Sequence, residues 1–263
     1  SGSDVSNYSV TNQSSTTANV TAKGLTVSGI TASDKSYDGA TSATLSTSSI
    51  LYSGLVSGDS FSGSYSGTFN NANVGNGKTV TISSSYSGDD ASNYSVTNQS
   101  STTAAIVKKV LTASASASNK TYNGNTTATT TLSFSGLAGS ETLGQSVSST
   151  FNNKNVGTGK TVTVNSITLS DGSNGGVASN YIISAGQTTT ANITAKALSV
   201  SGITASNKTY DGNTVASLDL TGASYSGLVS GDNIVISATG TFDNKNVGTG
   251  KTVNISSSYS GTD

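Results

Sequence analysis

The 263 residues include no cysteine, histidine, methionine, tryptophan, proline or arginine. Without cysteine there are no disulfides and no thiolate metal ligands, so stability must come from packing and strand pairing. Without histidine the usual acid–base side chain of neutral pH is missing, and no nucleophile has an activating imidazole. Charged residues make up 10% of the chain and nearly balance, with a net charge of −1. That leaves no basic field for nucleic acid or an anionic membrane surface, and no guanidinium fork for phosphate. No apolar run approaches the ~20 residues that cross a bilayer as a helix. Ser1-Gly2-Ser3-Asp4 does not open a signal peptide, and the chain reads as a segment cut from something longer. The remaining carboxylates sit mostly in turn motifs, which argues against an enzyme.

What is present repeats. Apolar residues make up 32% of the chain, with 30 glycines besides, and the remainder is dominated by Ser, Thr, Asn and Ala. Tyr37-Asp38-Gly39, Tyr122-Asn123-Gly124 and Tyr210-Asp211-Gly212 each follow Lys-Ser or Lys-Thr. Phe69-Asn70-Asn71, Phe151-Asn152-Asn153 and Phe242-Asp243-Asn244 each lead into Asn-Val-Gly-x-Gly-Lys-Thr-Val. Leu25, Leu111 and Leu198 open the copies, 86 and then 87 residues apart. That period fits a whole small domain and is far too long for a solenoid rung.

Residues 4–13 match residues 90–99, so the sequence divides as the tail of a preceding copy (1–23), complete copies at 24–109 and 110–196, and a copy lacking its closing strands (197–263). A second phasing starts the fold at the Ser-Gly-Asp loop and makes three whole units. Within a copy the apolar period is two: Val80/Ile82, Val162/Val164, Tyr94/Val96, Leu25/Val27 and Leu198/Val200 all alternate with Ser, Thr, Gly or Asn. This marks half-buried antiparallel strands, six to eight per copy, and no stretch keeps a helical period. The expected fold is all-β, a tandem array of immunoglobulin-like β-sandwich repeats of about 87 residues, with a β-grasp-like repeat as the alternative. Asp90-Ala91-Ser92-Asn93-Tyr94 resembles the tyrosine corner of such sandwiches, in which the phenol bonds nearby backbone; Val177 replaces the aspartate in the second copy. Strands of this length imply bodies ~30–40 Å long and a rod on the order of 100 Å for three in line. The junctions Lys109-Val110-Leu111 and Lys196-Ala197-Leu198 contain no Gly/Ser linker, which predicts a stiff rod.

Three further segments, Asn-Lys-Thr-Tyr-Asp-Gly at 207–212, Gly-Thr-Phe-Asp-Asn-Lys-Asn-Val-Gly-Thr-Gly-Lys-Thr-Val at 240–253 and Ala-Asn-Ile-Thr-Ala-Lys at 191–196, carry a resemblance that covers essentially the whole chain. They resemble the YDG-type repeats of large bacterial surface adhesins of the filamentous-haemagglutinin, two-partner secretion class. The resemblance implies an extracellular, cell-surface stalk or adhesive segment, and supplies no ligand.

Each motif also has a bland reading. Asp38 and Asp211 become Asn123 in the middle copy, an exchange tolerated in a turn but not in an acid, base or metal ligand. Gly157-x-Gly159-Lys160-Thr161 lacks the spacing and following helix of a phosphate loop and reads as a hairpin or bulge feeding a strand. Asp89-Asp90 and the loop 171–176 could offer oxygens to an inter-domain calcium, but their carboxylates are too few for an established calcium motif. Glu141 is the only glutamate and has no evident counterpart in the other copies, which argues against an isopeptide cross-link. Thr126–Thr131 reads as an edge strand kept soluble by hydroxyls.

Two functions remain: a spacer that holds a distal adhesive region away from the cell, or multivalent repeats that engage polysaccharide, host glycan or repeats on neighbouring cells. Tyr65, Tyr86, Tyr225 and Tyr259 are the candidate sugar-stacking residues; Leu169 stands in the middle copy where the others have Tyr86 and Tyr259, which favours the spacer. The partial copies at the two ends also imply head-to-tail strand donation between molecules.

Overall fold

A computed structural model describes residues 2–262. The chain divides between Lys109 and Val110 into two compact units.

The strands of the first unit are β1 (Lys23–Ser28), β2 (Thr31–Ala32), β3 (Lys35–Ser36), β4 (Ser42–Ala43), β5 (Leu45–Ser46), β6 (Leu51–Ser53), β7 (Ser62–Phe69), β8 (Gly75–Ser87), β9 (Tyr94–Thr97) and β10 (Ser101–Val107). They form a three-stranded sheet β6-β1-β9, a five-stranded sheet β3-β10-β8-β7-β4, and the small pair β2–β5. Period-two alternation explains the packing. Val80 and Ile82 of β8 point inward while Thr79 and Thr81 stay exposed, and Leu25 and Val27 of β1 do the same from the other sheet. Val27, Ile30 and Ile82 meet in one core cluster, so the two sheets face each other across it. Burial of side chains this size contributes about 1.5–3 kcal/mol each.

The second unit carries two repeats. After β11 (Lys109–Val110), which straddles the boundary, its strands are β12 (Thr112–Ala117), β13 (Lys120–Thr121), β14 (Thr127–Ala128), β15 (Thr130–Ser135), β16 (Leu143–Phe151), β17 (Gly157–Asp171), β18 (Tyr181–Ile182) and β19 (Thr188–Thr194), then β20 (Ser199–Ser201), β21 (Thr204–Ala205), β22 (Val215–Ala216), β23 (Leu218–Asp219), β24 (Ser224–Ser226), β25 (Ile234–Phe242) and β26 (Val253–Gly261). The five-stranded sheet recurs as β13-β19-β17-β16-β14, with Phe151, Val162 and Ile193 in its core. The third repeat keeps β22-β25-β26, the counterparts of β4, β7 and β8. Nothing pairs with the far edge of β26 among the described residues.

The chain is all-β. Its only helical elements among the described residues are the 3-10 turns Val5–Asn7, Ala91–Asn93 and Ala178–Asn180, so the helix that a β-grasp needs is missing from each repeat. One expectation needs refinement: not every pair is antiparallel. β1 runs parallel to β9, β3 to β10, and β13 to β19. Each of these pairs joins an early strand of a repeat to its last ones, a non-local closure that hydrophobic alternation does not encode. The threonines of residues 126–131 also serve two sheets. Thr127 lies in the edge strand β14, and Thr130 and Thr131 lie in β15, paired with β12.

Candidate functional site

The residues that recur in all copies build one cluster per repeat around a lysine. In the first, Lys35 Nζ reaches Asp38 Oδ1 and the Ala40 carbonyl, both at 2.7 Å, and lies 5.7 Å from the centre of the Phe69 ring. In the second, Lys120 Nζ donates to Asn123 Oδ1 at 2.9 Å and the Asn125 carbonyl at 2.7 Å, over Phe151 at 5.4 Å. In the third, Lys208 reaches Asp211 at 2.8 Å and the Asn213 carbonyl at 3.0 Å, over Phe242 at 5.7 Å. The lysine therefore ties the Tyr-Asp/Asn-Gly turn to the phenylalanine that ends the next long strand, through a cation–π contact and charge-assisted hydrogen bonds. The turn reading of the motif holds. Asp38 Oδ1 accepts the Ala40 N–H at 2.9 Å, and Gly39, Gly124 and Gly212 all have φ near +80°, where a side chain is strained.

The exchange of Asp for Asn has an electrostatic trace. Partial burial pushes the Asp38 carboxyl upward, but Lys35 and the Ala40 N–H outweigh it and hold the group below its ordinary value. Lys208 and the Asn213 N–H do the same for Asp211. Lys120, which faces an amide, has its pKa pushed down by burial.

The second motif forms the adjoining loop. Lys78, Lys160 and Lys251 donate to Asn71, Asn153 and Asn244 at 2.7, 2.5 and 2.5 Å, closing the loop between the two long strands. Gly157 and Lys160 flank a register shift, and Gly159 has φ +61°. This is the expected bulge feeding a strand.

The tyrosine corner has a carboxylate partner that the sequence reading missed. The Tyr94 hydroxyl accepts the Val56 N–H at 3.0 Å and donates to Asp59. Tyr181 likewise accepts the Ala138 N–H at 2.9 Å and donates to Glu141 Oε2 at 2.6 Å. The phenol is buried after a 3-10 turn, as the corner resemblance implies, but its backbone partner lies 38 or 43 residues upstream rather than nearby. Glu141 does have counterparts, therefore: Asp59 and Asp232 occupy the same loop position. Burial and the bond to Glu141 push the Tyr181 pKa up to about 12.

Within the second unit, this carboxylate also links repeats. The Tyr122 hydroxyl of the Tyr-Asn-Gly turn donates to Asp232 Oδ1 of the next repeat at 3.0 Å, with Lys154 Nζ 4.0 Å from the same oxygen. A Cβ on Gly124 would come within 2.8 Å of Val229 Cγ1, so the glycine serves both the positive φ and the close approach of the neighbouring repeat. In the second repeat the motif is a turn that also touches the third.

The candidate tyrosines do not form one surface. Tyr65 bonds the Tyr52 hydroxyl at 3.1 Å and packs edge-on to Tyr86. Tyr86 stacks on Phe61 and donates to Asn98 at 2.5 Å. Tyr225 sits half-buried in β24 opposite Val200, and Tyr259 is 55% exposed on β26. In the loops weighed for calcium, Asp90 accepts the Ser60 N–H and Asp171 the Ala178 N–H. No group of three or more acidic side chains that could hold a metal is present among the described residues.

The YDG domain family model matches this chain three times, over residues 21–104, 107–191 and 194–263. The chain belongs to the YDG domain family. No curated protein and no solved structure matches it.

Proposed function

We propose that these repeats are spacer domains in the stalk of an extracellular bacterial cell-surface adhesin, serving to hold a distal adhesive region away from the cell. The observation that carries this reading is where the recurring residues go. The motif lysines, the Asp/Asn of the turn and the loop asparagines are occupied within their own repeat, and Tyr122 is bonded to the next repeat. The chemistry retained from copy to copy serves packing within the repeat and, inside the second unit, the join at Tyr122. A repeated ligand site would instead leave the same polar groups open in each copy. The four candidate tyrosines vary in setting, and the middle copy has Leu169 where the others have Tyr86 and Tyr259. That variation supports a spacer over multivalent glycan binding.

A spacer needs a fixed angle between neighbours, and the bond from Tyr122 to Asp232 supplies a restraint. Spin labels at the exposed positions Thr168 and Ser256, in the second and third repeats, test this by pulsed electron resonance. One narrow distance distribution is expected, broadened by Tyr122→Phe. A broad distribution in the unaltered chain contradicts the proposal.

A further inference from the structure

The middle copy departs from the other two at one chemically reactive place. Where the first and third hold Asp38-Gly39 and Asp211-Gly212, the second holds Asn123-Gly124. An asparagine followed by glycine is open to attack on its own side chain, because the glycine nitrogen approaches the amide carbon with no Cβ in the way. The chain has two other such pairs, Asn76-Gly77 and Asn174-Gly175.

Asn123 differs from these two in what surrounds its amide. Lys120 Nζ donates to Asn123 Oδ1 at 2.9 Å, and the Asn125 N–H is directed at the same oxygen from 3.4 Å. The Asn125 and Thr127 carbonyls and the Phe151 ring hold the ammonium in that place. Two donors on one carbonyl oxygen stabilise negative charge that develops there, as in an oxyanion hole. Asn174 instead donates from Nδ2 to the Ser140 carbonyl at 3.1 Å, and among the described residues no lysine reaches the Oδ1 of Asn76 or Asn174.

We propose that Asn123 is a self-modification site, at which the Gly124 nitrogen attacks the side-chain Cγ and the amide is converted to an aspartate carboxylate. Water takes the Gly124 N–H proton as the N–Cγ bond forms, and the Cγ=Oδ1 electron pair moves onto Oδ1 beneath Lys120. When that pair returns, the Cγ–Nδ2 bond breaks, and the nitrogen takes a proton from solvent and leaves as ammonia. A five-membered imide remains. Lys120 still lies on Oδ1, so water is directed to Cγ rather than to the main-chain carbonyl carbon. The Cγ–N bond then breaks, Gly124 recovers its N–H, and the normal backbone is kept. The sum is amide plus water giving carboxylate plus ammonium.

The other copies already display the product. Asp38 accepts from Lys35 at 2.7 Å and from the Ala40 N–H at 2.9 Å, and Asp211 from Lys208 at 2.8 Å and the Asn213 N–H at 3.1 Å. The conversion also stops there, since imide formation from aspartate needs the neutral acid. Partial burial pushes Asp38 upward, but Lys35 and the Ala40 N–H outweigh it, and Lys208 and the Asn213 N–H hold Asp211 ionised. At this place in the fold asparagine is consumed and aspartate persists.

Peptide mass mapping of the full chain, incubated at mildly alkaline pH, tests the inference. Asn123 should show the amide-to-acid mass gain well before Asn76 and Asn174, with normal aspartate as the main product. Lys120→Met separates two roles of the lysine. Loss of an oxyanion donor costs about a hundred- to a thousandfold in an enclosed site, so slowing of about tenfold is expected at this exposed turn. A lysine that only stiffened the turn has the opposite effect, because a looser turn reacts faster. Lys120→Arg keeps a cation there and should retain most of the rate. Conversion of Asn123 no faster than that of Asn76 and Asn174, faster conversion in Lys120→Met, or a mainly isoaspartate product overturns the proposal. The spacer reading is separate and is tested by the angle between repeats.

Discussion

At the scale of single residues, the exchange of Asp38 and Asp211 for Asn123 is a controlled comparison made by the protein itself. Both carboxyls are held below their ordinary value. Their contribution is therefore present above the unfolded value near ~3.9 and is lost as pH falls through the folded one. Following the two carboxyl carbons by NMR between pH 2 and 5 should show both titrating below free aspartate. Asp38→Asn should leave the fold intact at neutral pH and remove that acid response from the first repeat, as Asn123 makes the same contacts. Tyr181 gives the opposite case. Its folded pKa is raised, so its contribution is complete below the unfolded value near ~10 and is lost as pH rises toward about 12. Tyr181→Phe leaves the Ala138 N–H and the Glu141 carboxylate without their phenol, a loss of about 1–3 kcal/mol to be read from chemical denaturation.

Elements show what the sequence could and could not disclose. Alternation identified the long strands because Val80/Ile82 and Val162/Val164 each face a core while their neighbours face solvent. The turns were legible because Gly after Asp or Asn marks positive φ. The pairing of first strands with last ones was not, since β1–β9 and β3–β10 are parallel contacts between residues about 70 apart, and no local pattern encodes them. The tyrosine–carboxylate pair was hidden by the Asp-to-Glu exchange at position 141. Glycine positions separate two effects here. Gly212→Ala meets no atom within 4 Å, so it carries only the left-handed backbone penalty of about 1–2 kcal/mol. Gly124→Ala adds the contact with Val229 and should cost measurably more in thermal or denaturant unfolding. Lys120→Met removes the cation from the Phe151 face and the bonds to the turn, with an expected loss of about 1–2 kcal/mol.

Across the whole molecule, copying a domain multiplies whatever that domain does, whether reach or binding. The repeats direct their recurring side chains inward and, at Tyr122, toward a neighbour. On the spacer proposal length depends on joins that keep their angle, and within the second unit the Tyr122–Asp232 bond is the contact that would hold one. Tyr259 is the one candidate aromatic that presents much of its ring to solvent. The most direct measurement is binding of this chain to a broad panel of glycans and exopolysaccharides, with and without calcium. The account predicts no selective binding under either condition. Selective binding that Tyr259→Ala abolishes would contradict it and make the repeats themselves the adhesive surface.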